Sequence, residues 1–166
     1  MKIHAITAIA MYTLLCLAQV SAADGSDDAG TIERGRYLVR VSGCNDCHTP
    51  GYLEGSGQVP EATWLTGSST GFQGPWGTTY PANLRRYVAS VSEAEWLERV
   101  RKPMRPPMPW FNLSAMTDSD LIALYRYISY LGDAGDPAPA AAAPGVEVST
   151  PYFDFVPKNL PTLAKR

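Results

Sequence analysis

The sequence is poor in the side chains that build metal sites and covalent cross-links. Its 166 residues hold three cysteines and two histidines, an odd count for a disulfide framework and few ligands for a metal centre made of protein alone. Charge is sparse as well: 14 Lys and Arg stand against 16 Asp and Glu, 18% of the chain in all. A nucleic-acid binder would carry a basic excess, so that class is set aside. The mean hydropathy of −0.13 likewise excludes a multi-pass membrane protein. What the chain has in quantity is 14 glycines and 14 prolines. They predict turns and extended loops around a modest core in one small domain.

Residues 1–22 read as an export signal. Lys2 precedes a mostly apolar stretch from Ala5 to Ala18, and Val20-Ser21-Ala22 offers small residues for cleavage. Thr7 and Thr13 interrupt the stretch, which is shorter than the roughly 20 residues of a membrane span. Cys16 follows Leu14-Leu15, the wrong shape for a lipoprotein acceptor. The expectation is a periplasmic protein cleaved after Ala22, with a flexible N-terminus over 23–30. Cleavage removes Lys2, His4 and Cys16 but no acid, taking the net charge from −2 to −3 and leaving two cysteines and one histidine.

All three survivors are contiguous, in Cys44-Asn45-Asp46-Cys47-His48. This is the CxxCH pattern of haem attachment: each thiol can form a thioether to one haem vinyl group, and the next residue is an imidazole held under the iron as axial ligand. The competing readings are weaker. Structural zinc needs a fourth ligand, and no other Cys or His exists in the mature chain. A thioredoxin-like dithiol wants a flanking strand–helix alternation that is missing here. A Cys44–Cys47 disulfide would close too small a loop to stabilise much. No second CxxCH and no internal repeat occur, so one haem is expected.

At this point a family resemblance emerges. Gly35-Arg36-Tyr37-Leu38, the CNDCHTP run, Trp76 to Leu84, and Pro107-Met108-Pro109-Trp110-Phe111 ahead of a terminal helix together resemble a bacterial monohaem class I c-type cytochrome, similar to dehydrogenase-associated ones. The similarity covers roughly Thr31 to Gly132. It implies a mainly α, class I cytochrome c fold with few helices around one covalently bound haem. In that family an N-terminal helix leads into CxxCH and crosses the C-terminal helix, and a methionine from a late loop binds iron opposite the histidine. One departure is that Asn83-Leu84 runs into Arg85-Arg86-Tyr87, where relatives usually continue with a Thr-Pro-Asp turn.

Three methionines of the mature chain compete for that ligand: Met104, Met108 and Met116. Thr117 followed by Asp118, Ser119 and Asp120 reads as a helix N-cap with acids in the first turn. Met116 and Leu121 then form its hydrophobic staple, which gives Met116 a structural role. Ser92 and Glu95 form a capping box with Val91 and Trp96 as staple, and that helix ends near Lys102, ahead of Pro103. Met108 lies between Pro107 and Pro109, whose fixed φ pre-orders its backbone. The family's Met-Pro-aromatic context also points to Met108 over Met104. An open sixth position is the rival.

Ile32, Leu38 and Val41, with Tyr37 nearby, give the first helix an apolar side. The last helix, Thr117 to Leu131, repeats Leu121, Leu124, Tyr125, Ile128 and Leu131 and stops at Gly132. Gly35 suits close approach by an aromatic of that helix, Tyr125 or Tyr127. Gly51 to Gly77 reads as loop wrapping the haem, with Trp76, Tyr80 and Asn83 as candidates for propionate hydrogen bonds. From Asp133 to residue 166 the composition shifts to an Ala/Pro spacer and then an aromatic tail, Pro151 to Pro157, which could strap the domain or dock on a partner.

The function expected is periplasmic single-electron transfer through haem iron ligated by His48 and Met108, with electron donor and acceptor proteins as partners and no bond made in a substrate. Arg99, Arg101, Lys102 and Arg105 are either a steering rim or an ordinary solvated face. Two alternatives stand: a relay subunit of a periplasmic dehydrogenase or oxidase, and an open-iron enzyme or sensor.

Overall fold

The computed structural model describes residues 28–158, so the predicted export segment lies outside the described residues. Among the described residues the fold is mainly helical, with six helices and a small sheet. Helix α1 covers 28–41 and α2 is Cys44–His48. A single 3-10 turn at Glu61–Thr63 precedes the strands β1 (Gly71–Gly74) and β2 (Gly77–Thr79). Then come α3 (Leu84–Ala89), α4 (Glu93–Val100), α5 (Trp110–Ala115), α6 (Asp118–Leu131) and, after the spacer, β3 (Tyr152–Asp154). Residues 28–30, inside the stretch expected to be flexible, are already helical, and Asp28 faces Arg126 of α6 at 3.6 Å.

Helix α6 forms where the caps predict. The Thr117 side chain accepts from the Asp120 amide at 3.2 Å, and Gly132 ends the helix with φ 72°, a conformation glycine adopts freely. Leu121, Ala123, Leu124, Tyr127 and Ile128 of α6 are all buried. Helix α4 has its full capping box, with Ser92 and Glu95 bonded reciprocally, and ends at Val100. Both α3 and α4 pack against α6.

Helix α1 meets α6 at Gly35. A Cβ there would lie 2.6 Å from Tyr127 Cβ and would strike the Ala123 carbonyl oxygen, so only glycine permits the crossing. The apolar side of α1 needs correction. Val39 is fully buried beside Leu38, whereas Val41 and Tyr37 are 58% and 55% exposed. Gly35, Leu38 and Val39 share one face at helical spacing; Tyr37 and Val41 project from the other.

The long segment after the haem motif is more ordered than a loop. Strands β1 and β2 form an antiparallel hairpin around Pro75-Trp76, with Phe72 opposite Thr79. The C-terminal tail then folds back as a strap: β3 runs parallel to β1, with Phe72 beside Phe153, giving sheet order β2-β1-β3. Ala142 of the spacer bridges Thr78 with two backbone bonds, 3.1 and 2.9 Å. Phe72 stacks on Phe153 at 5.5 Å and meets Phe155 edge-on at 5.4 Å. These ring contacts, rather than deep burial, hold a segment whose β3 residues are all exposed.

Candidate functional site

The CxxCH residues form their own short helix. Gly43 enters it at φ 71°, a left-handed conformation that spares the first cysteine a helical predecessor. Cys44 and Cys47 sit one turn apart, partly buried and unbridged, so both thiols face the same side. Burial pushes the Cys44 thiol up to about 11 and raises Cys47 as well. Both are therefore protonated thiols at neutral pH.

His48 is buried, and its Nδ1 donates to the Ala82 carbonyl at 2.7 Å. The acceptor is a carbonyl, so Nδ1 must carry the proton and Nε2 is left as a lone pair. Burial outweighs the bond to Ala82 and holds the imidazole below its ordinary value, which keeps it neutral. Around it, backbone bonds knit two segments: Gly67 N–H to His48 O (2.8 Å), Ser68 N–H to Pro81 O (3.1 Å) and Leu84 N–H to Leu65 O (2.9 Å).

Met104, Met108 and Met116 are all partly buried and pack on the hydrophobic core. Met116 sits before the Thr117 cap, as its staple role requires. The Met108 carbonyl accepts from Trp110 N–H at 2.8 Å, at the start of α5. The loop is tied to the sheet by Thr79 Oγ1 donating to Pro106 O at 2.7 Å. Of the basic residues before Met108, Arg101 is paired with Asp118 at 2.5 Å and Lys102 with Glu98 at 2.5 Å, which favours the solvated face over a steering rim.

The three propionate candidates lie beside the strap and differ in what they have free. The Trp76 indole nitrogen is buried without a hydrogen-bond partner. The Tyr80 hydroxyl is 2.5 Å from Thr150 Oγ1. Asn83 caps α3 through Oδ1, accepting from Arg86 N–H at 3.1 Å. Its Nδ2 donates to Ala134 O and Asp136 O at 2.7 and 3.1 Å, so both hydrogens are spent.

Several residues were not foreseen. Glu61 accepts from both ends of Arg36 (3.0 and 2.7 Å) and from Tyr127 Oη (2.7 Å). Arg85, 7% exposed, donates to the carbonyls of Gly132 (2.5 Å), Ala62 (2.8 Å) and Leu131. Ala82 acts through its carbonyl alone, so its residue type carries no signal. The Thr49 hydroxyl is buried between Asn45 and Leu65, and its place directly after His48 is a clue that could have been used.

The donor set fits a covalently attached haem. Two unbridged thiols share one helix face, a neutral imidazole has Nε2 free, thioethers line the core, and one buried indole N–H lacks an acceptor. Comparison with known proteins agrees. The family model described as Cytochrome c matches residues 32–132. Over 114 residues the chain is 29% identical to the cytochrome c subunit of alcohol dehydrogenase (quinone) from Gluconacetobacter polyoxogenes, and equally to that from Komagataeibacter europaeus. The subunit from Gluconobacter oxydans is 27% identical. Each alignment covers 62% of this chain but 22% of the relative, so the chain matches about a fifth of those subunits. No solved structure matches it.

Proposed function

Because the chain belongs to the cytochrome c family, whose members carry a covalently bound haem c, we infer that Cys44 and Cys47 form the thioethers, that His48 and Met108 are the axial ligands, and that the protein passes single electrons in the periplasm. The observation that carries this reading is the commitment of His48 Nδ1 to Ala82 O at 2.7 Å, which leaves Nε2 as the metal-facing nitrogen. Bound there, the haem supplies a one-electron couple at its iron. The Ala82 carbonyl fixes the imidazole tautomer and raises its basicity. Met108, a neutral thioether, would favour the reduced state of an iron held there and so raise its potential. Trp64 and Leu65 are buried in the segment after the motif and would help to keep water from a haem bound there. Trp76, whose buried N–H has no partner among the described residues, is the propionate candidate with a hydrogen left to give; Tyr80 and Asn83 are engaged by the strap.

Optical spectra and carbon monoxide binding of the purified haem protein test the ligation, with wild type beside Met108→Ala and Met104→Ala. The expected result is a low-spin six-coordinate haem that resists carbon monoxide and opens in Met108→Ala only. Ready carbon monoxide binding by the wild type would instead support the open-iron enzyme or sensor.

A second reading is favoured by the relatives, which are cytochrome c subunits of quinone alcohol dehydrogenases. In it, this chain is a haem-bearing relay bound to a periplasmic dehydrogenase or oxidase. Co-purification of the native protein with and without residues 133–166 separates a free carrier from a subunit.

A further inference from the structure

The hydrogen bonds around His48 close into a ring in which Thr49 alone contributes a side chain besides the histidine. Helix α2 holds the 65–68 segment at two points, Gly67 N–H to His48 O (2.8 Å) and Leu65 N–H to Thr49 Oγ1 (2.8 Å). That segment holds 81–84 at two more, Leu84 N–H to Leu65 O and Ser68 N–H to Pro81 O. The 81–84 segment closes the ring by presenting the Ala82 carbonyl to His48 Nδ1. Where that carbonyl lies relative to α2 therefore depends on how Leu65 is anchored.

Leu65 is an unusual anchor point. It is fully buried, and its φ of +61° is a left-handed conformation in which an L side chain crowds its own backbone. Such a residue persists only when its surroundings over-determine it. Thr49 supplies part of that constraint. Its hydroxyl accepts the Leu65 N–H and donates its own O–H to Asn45 Oδ1 at 2.8 Å, one turn back in α2. Thr49 is 3% exposed and Asn45 0%, so water does not compete for these bonds. The Asn45 Nδ2 is buried without a partner, so the acceptor end of that amide is the one the fold uses.

We propose that Thr49 is a positioning residue: its hydroxyl relay, Leu65 N–H to Thr49 to Asn45, sets the place of the Ala82 carbonyl and hence the orientation of the His48 imidazole plane. The inference rests on His48 as an axial ligand.

The test uses the haem-loaded full chain and reads EPR g-values of the ferric form, the reduction potential and thermal stability. Thr49→Val keeps the shape and removes the relay; the expected result is displaced g-values and a shifted potential, both restored in Thr49→Ser. Gly35→Ala separates positioning from stability, because it destabilises the α1–α6 crossing while leaving the bonds around His48 in place; it should lose stability yet keep wild-type g-values and potential. Thr49→Ala also removes the hydroxyl and carries the test where Thr49→Val does not fold. Wild-type g-values in the folded variant that lacks the hydroxyl, or equally displaced ones in Gly35→Ala, would overturn the proposal. A wild type lacking histidine ligation by magnetic circular dichroism fails the ligand assignment itself, a result visible before any substitution is made, and overturns the relay with it.

Discussion

At the scale of single residues, Arg85 does for helix α6 what a water shell does for an exposed one. Its guanidinium takes up the carbonyls of Leu131 and Gly132 and reaches across to Ala62, placing a cation at the negative end of the helix dipole. Arg85→Met leaves three carbonyls short of donors and is expected to cost about 3 kcal/mol in urea denaturation of the haem-loaded protein. Glu61 and Tyr127 make stability depend on pH at both ends. Burial pushes the Glu61 carboxyl up, but bonds from Arg36 and Tyr127 outweigh it and hold it below the usual range; that stability is present above the ordinary carboxylate value and lost as pH falls. Burial, then Glu61, hold the Tyr127 phenol above its ordinary value; that stability is present below about pH 10 and lost as pH rises. Tyr127→Phe should flatten the alkaline arm and keep an acid one, as urea midpoints across both ranges will show. Cys44, Cys47 and His48 were legible because covalent haem attachment dictates residue type and spacing together. Ala82 and Leu65 were not, because backbone groups act there whatever the side chain.

At the scale of elements, legibility followed length and capping. Helices α4 and α6 announce themselves through Ser92, Glu95 and Thr117, whose side chains satisfy end amides that nothing else reaches. The six-residue α3 and α5 are too short for a periodic pattern, and β1 and β2 are four- and three-residue segments containing glycine, which read as loop. Register across the α1–α6 crossing is tight: Gly35→Ala places a methyl against the backbone of Ala123 and against Tyr127, and should destabilise by about 3 kcal/mol in thermal or urea unfolding. The strap depends on rings instead. Phe153→Ala removes the stack on Phe72 and is expected to speed proteolysis in the Ala/Pro spacer while leaving the haem spectrum unchanged.

At the scale of the molecule, the scarcity of Cys and His turned out to be informative, since two of the three cysteines and one of the two histidines fall in one pentapeptide and the family match spans the domain around it. The tail was the part that composition left undecided, because an Ala/Pro spacer with aromatics suits both a strap and a docking arm, and only pairing with β1 distinguishes them. That pairing has a concentration-dependent side. The strap reaches β1 through an extended, proline-rich stretch that stores little structure of its own, so the same β3 can seat on the β1 of a neighbouring copy with every contact preserved. Refolding at high protein concentration should therefore yield an exchanged dimer by size-exclusion chromatography, and a chain ending at Gly132 should yield none. Dilution alone would return that dimer to monomers slowly, since each strap must let go before either can come home.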